Sequence, residues 1–302
     1  MNEILSQSLP IIALMAFGFL LRQGRVLKRD DGHTMARVIL NATLPALLFL
    51  AVARADVEPI SLMVLGLCGA TIPLVLQGIA VAVTRALRLE RPVAGVVVIS
   101  VMITNIGYFL VPFFLAFYGS DGISRLAAFD LGNSLIATSY AYYVATRYGY
   151  RASAGWRSSL KRGLSLPILW ANLLGLAVNL SGIVLPQSLV QVLEPLSKAN
   201  TPLAMLTLGL FIEFRFANWR PMLAAVGLRI AGGWAVGQAL IAALGLSGLE
   251  RVAVGMGAAM PIGVVVLVYS SMEDLDVDLA AAAISLSILV ALVITPLLLA
   301  VY

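Results

Sequence analysis

Long apolar runs, separated by short polar stretches, constrain this chain more than any other feature of its sequence. A bilayer core about 30 Å thick is crossed by about 20 apolar residues in a helix. The runs do not alternate with the period of two that a transmembrane barrel requires. Ten of them follow one another, with limits at 3–22, 33–53, 60–84, 94–117, 122–146, 163–181, 196–214, 221–245, 251–270 and 275–301. The sequence therefore predicts an all-α integral membrane protein with ten transmembrane spans.

Composition excludes several other classes of protein. Hydrophobic residues make up 61% of the chain and charged residues 12%, which is outside the range of soluble domains. The net charge of +5 comes from short basic clusters between the apolar runs, so no nucleic-acid partner is expected. The single cysteine, Cys68, lies in an apolar run, and the one histidine, His33, has no thiol near it in the sequence. We therefore expect neither a metal site nor a cofactor.

The positions of Lys and Arg predict the orientation, because short cytoplasmic loops retain these residues. The loops after spans 1, 3 and 5 are basic and contain Arg22, Arg25, Lys28, Arg29, Arg85, Arg88, Arg91, Arg147, Arg151, Arg157, Lys161 and Arg162. The intervening loops carry one basic residue each, namely Arg54, Arg125, Lys198 and Arg251. The pattern predicts a cell inner membrane protein with both termini outside, in the periplasm, and membrane lipids as its surroundings.

A repeat is visible when the sequence is compared with itself at a shift of 157 positions. Without a gap, this shift aligns Pro10 with Pro167, Gly18 with Gly175, and Pro45 with Pro202. We interpret residues 1–150 and 163–302 as two five-span repeats joined by a basic cytoplasmic linker, 151–162. Since each half has an odd number of spans, the second half enters the membrane in the opposite direction. The sequence thus predicts two inverted repeats.

The fourth span contains residues that weaken or interrupt a helix. The segment ITNIGYFLVPFF at 103–114 carries Thr104, Asn105, Gly107 and Pro112. The repeat aligns this segment with GMGAAMPIGVVVLVY at 255–269, which contains Pro261 and Gly263. Inverted repeats whose helices break at matching places are typical of secondary transporters, with the binding site near the bilayer midplane. The alternative is an ordinary kink, because proline and glycine are common in membrane helices.

Several polar side chains are candidates for this site. Asn105, with Thr104, Pro261 and Ile262 at the breaks, is predicted to contact the substrate; the less favoured alternative is that Asn105 caps a half-helix. Asn41 in span 2 and Asn200 in span 7, which lie in corresponding segments of the two repeats, either border the pocket or serve helix packing.

Span 5 contains a buried acid, Asp130, which shares one helical face with Asn133, Ser134 and Thr138. We expect Asp130 and Asn133 to bind a proton or a cation, the alternative being a structural or solvated acid. Arg229 in span 8 is expected to reach the membrane surface or to meet Glu213.

The sequence resembles the auxin efflux carrier family, which includes the plant PIN-formed auxin exporters and bacterial proteins proposed to carry malonate or malate. The matching segments cover nearly the whole chain: LNATLPALLF at 40–49, TNIGYFLVPFFLAFYG at 104–119, FDLGNSL at 129–135, NTPLAMLTLG at 200–209 and AAMPIGVVVLVYSSMEDLD at 258–276. The chain looks like a bacterial member, within the wider group that contains the bile-acid sodium symporters.

The resemblance implies a scaffold domain of spans 1, 2, 6 and 7 and a transport domain of spans 3–5 and 8–10. It also implies a substrate carboxylate at the crossing of spans 4 and 9, elevator-type alternating access, and a homodimer, as in the plant members. The chain departs from the plant exporters at Thr104, where they have proline, at Ile262, where they have a polar residue, and in lacking their long cytoplasmic loop. Auxin itself is therefore not the expected substrate.

Three kinds of function are compatible with the sequence to different degrees. The favoured one is a secondary carrier of small organic anions, coupled to protons or uncoupled. Sodium coupling of the bile-acid symporter kind is less favoured, because no acid or glutamine surrounds Pro261. A channel or sensor on the same fold is the second kind. An enzyme is the least expected, since the chain has no HExxH, no GxSxG and no phosphate-binding glycine loop.

Overall fold

The computed structural model describes residues 2–56, 58–149, 161, 164–165, 167–213 and 218–302. Most of the predicted linker at 151–162 lies outside these residues. The helices, in chain order, are α1 (Asn2–Gln23), α2 (Arg29–Ala53), α3 (Pro59–Ala86), α4 (Arg91–Met102), α5 (Ile106–Tyr148), α6 (Pro167–Ser181), α7 (Gln187–Phe211), α8 (Trp219–Leu244), α9 (Gly248–Ala258), α10 (Val265–Met272) and α11 (Val277–Val301). The fold of the described part is all-helical, as predicted.

Five of the described helices, α2, α3, α5, α8 and α11, are long and apolar enough to cross a bilayer. Large apolar side chains remain exposed on the outer surface, for example Leu67 at 60% and Trp170 at 52%. A soluble protein would leave such a surface in water, whereas lipid tails cover it without loss of free energy. The structure therefore agrees with a multi-pass membrane protein, and the number of ten spans stays a prediction.

Two helix limits differ from the predicted spans for a physical reason. Helix α7 begins at Gln187, nine residues before the predicted span at 196, because its first turns are amphipathic and a count of apolar residues misses them. Helix α5 is longer than any span and bends sharply at Gly119, whose φ of 56° lies in the left-handed region that glycine tolerates. The bend lies between the end of the predicted fourth span, at 117, and the start of the fifth, at 122.

Close contacts between helices recur at the same shift of 157 positions that relates the two halves of the sequence. A Cβ atom on Gly18 of α1 would overlap the carbonyl oxygen of Leu206 in α7. At the related positions, a Cβ atom on Gly175 of α6 would come within 3.0 Å of the carbonyl oxygen of Phe49 in α2. The packing of α1 on α7 and of α6 on α2 is therefore equivalent in the two halves.

Helices α4 and α9 end abruptly in the interior of the molecule. Helix α4 stops at Met102 and α5 starts at Ile106, while α9 stops at Ala258 and α10 starts at Val265. Pro261 lies in the second gap, where its missing N–H and its ring prevent the helix from continuing. Both predicted interruptions are present, and they bring non-helical backbone into the core.

Candidate functional site

The two interruptions cross each other and pair through their main chains. The N–H of Asn105 donates to the carbonyl of Pro261 at 2.8 Å, and the N–H of Gly263 donates to the carbonyl of Ile103, also at 2.8 Å. Thr104 and Ile262 thus form an isolated antiparallel bridge. Main-chain polar groups away from water need a partner. Each break supplies partners for the other, so the crossing is stable only when both are present.

A serine of α11 satisfies one further main-chain group of the second break. The N–H of Ile262 donates to Ser287 Oγ at 3.0 Å, and that hydroxyl donates to the carbonyl of Ile284 at 2.7 Å. Ser287 is completely buried. The sequence does not reveal this residue, because a serine in an apolar helix gives no indication of the distant N–H from which its hydroxyl accepts a hydrogen bond.

A small pocket of about 90 Å³ lies against the crossing. Since one water needs roughly 10–15 Å³, it can hold several waters or a small anionic group. Its lining combines both breaks with the polar face of α5, and includes Ile103, Thr104, Asn105, Ile106, Gly107, Asp130, Asn133, Ser134, Thr138, Gly263, Val264 and Val265. Leu40 and Leu44 of α2 and Ile168 of α6 also line it. The pocket therefore lies between helices that the resemblance assigns to different domains.

Asn105 lines this pocket from the first break. It is 3% exposed, and neither its Nδ2 nor its Oδ1 has a hydrogen-bond partner among the described residues. A buried amide without partners loses about 1–3 kcal/mol relative to a satisfied one. Asn105 directly precedes the start of α5, whose first N–H groups lack partners within the helix. The side chain and the helix start together form a set of unused donors.

Asp130 contributes the one charged side chain among the described residues that line the pocket. It is 6% exposed, and Asn133 Nδ2 donates to its Oδ1 at 3.1 Å. Ser134 and Thr138 follow along the same face of α5 and line the same pocket. The four residues that the sequence grouped by helical spacing therefore do share one cavity, and their roles in transport stay a prediction.

Other candidate residues from the sequence lie outside this pocket. Asn41 is exposed, and its Nδ2 donates to the carbonyl of Arg37 at 2.7 Å. Asn200 is completely buried, and its Oδ1 accepts from Thr43 Oγ1 at 3.1 Å. Pro261 and Ile262 are buried within the crossing and contribute main-chain atoms, while Gly263 reaches the lining.

Two candidate helix breakers turn out to have different surroundings. Pro112 is buried near the start of the α-helical part of α5, beyond the break itself. Gly107 lines the pocket, and a Cβ there would lie 2.6 Å from Leu44 Cδ2. Gly107 therefore permits the close approach of α2 to the crossing, whereas Pro112 lies outside the pocket.

Arg229 has a different location from the one expected, and that expectation was wrong. It is completely buried, and it donates from Nη1 to the carbonyl of Val101 at 2.7 Å and from Nη2 to the carbonyl of Ala258. Glu213 instead pairs with Arg22 at 3.3 Å and with Arg29 at 2.9 Å. The largely buried carboxylate of Glu213 already has closer basic partners, and the carbonyls at the ends of α4 and α9 are acceptors that no sequence pattern reveals.

Four π-helical turns interrupt the regular hydrogen bonding of the helices around the site. They span Ile39–Thr43, Ile106–Leu110, Ile136–Tyr140 and Leu228–Gly232. Each includes or adjoins a residue of interest, such as Thr43, Asn105, Thr138 or Arg229. Single π-helical turns are rare and occur often at functional sites, because the extra residue redirects the side chains that follow.

A larger cavity lies away from the crossing. It measures about 490 Å³ and is walled almost entirely by apolar side chains of α2, α3, α5 and α6. Asn172 lines it, is 4% exposed, and has no partner for either amide atom in the described part of the chain. We assign the site to the smaller pocket, because main-chain ends, an amide and a carboxylate converge there.

An all-helical membrane fold with two crossed, interrupted helices is typical of membrane transport proteins. Residues 3–299 match the family described as membrane transport protein. The chain belongs to this family, the auxin efflux carrier family that the motifs indicated. The predicted membership is therefore confirmed, and the family is one of transporters rather than enzymes.

Two relatives cover nearly the whole chain. An uncharacterized transporter of Methanothermobacter thermautotrophicus is 31% identical over 293 residues, which are 96% of this chain and 95% of the relative. An uncharacterized transporter of Methanocaldococcus jannaschii is 23% identical over 288 residues, 91% of each chain. Both names agree with transport across a membrane and specify no substrate.

Proposed function

We propose that the protein is a secondary carrier of small organic anions, with carboxylates as the substrate class, and that the anion binds in the pocket at the crossing. The observation that carries this proposal is Asn105, a buried amide with unused hydrogen-bonding atoms that lines a pocket large enough for a carboxylate. A carboxylate offers two acceptor oxygens to such donors, and a hydrogen bond to a charged group is stronger than one to a neutral group.

The helix starts around the pocket also favour an anion. Both α5 and α10 begin at the breaks, and Ile106, Val264 and Val265 line the pocket. The amino end of a helix carries a partial positive charge and unpaired N–H groups, which stabilise negative charge within the first turn. Two such ends at one pocket support an anionic rather than a cationic substrate.

The elevator mechanism and the inverted repeats belong to the same proposal. The equivalent close contacts at Gly18 and Gly175 are those that a two-fold relation between the halves would produce. Helices α1, α2, α6 and α7 pack on one another, as do α3, α5, α8 and α9. The pocket lies between the two sets. Movement of one set along the other would carry a bound anion across the membrane.

For coupling, we propose a proton that binds at Asp130, in preference to sodium. The carboxylate faces the same pocket as Asn105, so its protonation state changes the charge that an incoming anion meets. We further propose an inner-membrane location with both termini in the periplasm, and a homodimer. Labelling of a cysteine placed at Tyr302 by an impermeant maleimide in whole cells tests the orientation, with the buried Cys68 replaced by serine.

The proposal is tested with purified protein in liposomes. Acetate, malonate and benzoate are first screened by thermal shift, because a ligand that binds the native state raises the apparent stability. The carboxylate that stabilises most is then used for counterflow, which a carrier supports and an open channel does not. N105A should weaken binding about 10- to 100-fold, the value expected when hydrogen bonds to a charged group are lost.

Gln191→Ala provides the matched control, since it removes an exposed amide on α7. It should leave binding and counterflow unchanged. Stabilisation by neutral sugars or cations but by none of the three carboxylates would contradict an anion carrier. Flux without counterflow would favour a channel, and stabilisation by carboxylates only in the presence of sodium would favour a sodium symporter.

A further inference from the structure

Arg229 is the largest of the completely buried side chains of the described residues. It projects from the π-helical turn Leu228–Gly232 in the middle of α8, a helix apolar enough to cross the membrane. A charged group at such depth is costly and is retained where it pairs with other groups or serves a function. No ion pair involves Arg229 in the part of the chain that the structure describes, so its partners are neutral.

Those partners are the carboxyl ends of the two interrupted helices. Nη1 donates to Val101 in the last turn of α4, and Nη2 donates to Ala258, the last residue of α9. The carboxyl end of a helix carries a partial negative charge of about half an elementary charge. One guanidinium therefore satisfies carbonyls of both ends and opposes the negative charge of both.

The approach of this guanidinium depends on a glycine one helical turn further along α8. A Cβ atom on Gly233 would overlap the carbonyl oxygen of Ala258 and would lie 2.7 Å from Arg229 Nη2. Any larger residue must push α9 or the guanidinium away. At Gly227, in the same helix, a Cβ atom would meet nothing within 4 Å. A comparison of alanine substitutions at Gly233 and Gly227 therefore separates the effect on Arg229 from the general effect of replacing glycine in a helix.

We infer that Arg229 is a positioning residue that acts as a fixed internal cation for the crossing. It neutralises the carboxyl ends of α4 and α9, so that the pocket experiences mainly the positive amino ends of α5 and α10. Arg229 does not line the pocket and does not touch the anion. The inference rests on the proposed anion-carrier function.

A consequence is that no metal cation is needed at the crossing to make anion binding favourable. The position where a bound cation would oppose the two carboxyl ends is already filled by the guanidinium. The wild-type affinity for a carboxylate should therefore change by less than about twofold when sodium chloride is replaced by potassium chloride at constant ionic strength. A strict requirement for sodium would overturn the inference.

The decisive experiment compares R229K with R229Q in the thermal-shift and counterflow assays, with whichever of acetate, malonate or benzoate binds the wild type best. Lysine keeps the charge, and glutamine keeps hydrogen-bond donors without it. We expect R229K to bind within about threefold of the wild type and R229Q to bind at least about tenfold more weakly, since a full charge is lost in a low-dielectric site. Equal binding by the two variants would overturn the inference.

If R229Q does not fold, alanine substitutions at Gly233 and Gly227 still test the inference. G233A keeps Arg229 but displaces its guanidinium, and G227A is its control. Loss of binding in G233A, with binding retained in G227A and R229K, supports the inference, whereas equal binding in G233A and G227A contradicts it. A wild-type protein that binds none of the carboxylates would overturn the proposed function and this inference together. Wild-type binding with equal variants overturns the inference alone.

Discussion

The two breaks that form the crossing occupy equivalent places in the two halves, yet their chemistry differs. The first break presents a buried amide, Asn105, whose side-chain atoms have no partner among the described residues. The second break contains Pro261 and Ile262, and the N–H of Ile262 donates to Ser287 Oγ. The first break thus leaves side-chain polar atoms unused, whereas a serine of α11 satisfies the N–H of the second.

The two breaks therefore have a similar shape and different roles, one in recognition of the anion and the other in support of the crossing. A pair of crossed backbones needs both members, since each supplies hydrogen bonds to the other. Recognition of an anion needs unused donors, and among side chains at the breaks these lie in the first one. The second break then serves mainly as a support and as the start of α10. The predictions below test this division, beginning with the largest expected effect.

The first prediction concerns charge at the first break. N105D replaces the amide by a carboxylate of nearly the same size, so packing is preserved. Two unit charges 4 Å apart repel by about 4 kcal/mol at an effective dielectric constant of 20, which corresponds to about a thousandfold loss of affinity. Counterflow of the carboxylate at pH 7.5 should therefore be lost. Binding within about fivefold of the wild type would show that the anion does not lie at Asn105.

The second prediction concerns Asp130, which lines the same pocket as the first break. D130N keeps a side chain that Asn133 can contact but cannot take up a proton. Uptake driven by an imposed proton gradient should fall to the level measured without a gradient, while counterflow at equal pH continues. Asp121→Asn is the control, because Asp121 is an exposed acid at the start of the second part of α5. An unchanged response of D130N to the gradient would remove Asp130 from coupling.

The third prediction concerns support of the second break. S287A leaves the buried N–H of Ile262 without its acceptor, which should lower the free energy of unfolding by about 1–3 kcal/mol. The apparent melting temperature should fall by several degrees, with a smaller loss of carboxylate affinity than in N105A. Ser100→Ala is matched, because Ser100 is equally buried and its hydroxyl has no partner within the described ranges. Equal melting temperatures for the two variants would contradict a supporting role for Ser287.

The fourth prediction has the smallest expected effect and concerns Asn41, which the sequence associated with the pocket. Its side chain is exposed and bound to the carbonyl of Arg37. Exposed substitutions of this kind usually change stability by less than about 0.5 kcal/mol, so N41A should bind the carboxylate within about twofold of the wild type. A tenfold loss would mean that α2 rearranges to bring Asn41 into the pocket during transport.

Local patterns predicted those parts of the site that depend on local sequence. Helix breakers at Asn105 and Pro261 indicated the interruptions, and helical spacing indicated the shared face of Asp130 and Asn133. These inferences need only the geometry of one helix at a time. The shift of 157 positions further predicted that the two breaks correspond to each other.

The remaining features depend on contacts between distant segments. Arg229 binds carbonyls that are 128 and 29 positions away in the sequence, and Ser287 accepts from an N–H 25 positions away. The carbonyl and N–H groups are present in every residue, so the sequence does not show which of them will lack a partner. Similarly, the π-helical turns arise from packing between helices, and no residue type specifies them.

The hydrogen bond between Thr43 and Asn200 joins positions that are related by the repeat shift of 157. Each residue therefore faces the counterpart of its own position, as residues on a symmetry axis do. Either order of threonine and asparagine would form the same bond, whereas two asparagines or two threonines would change its length. Among related transporters these two positions should consequently covary, and an exchange of the two residues should be tolerated better than a change at either one.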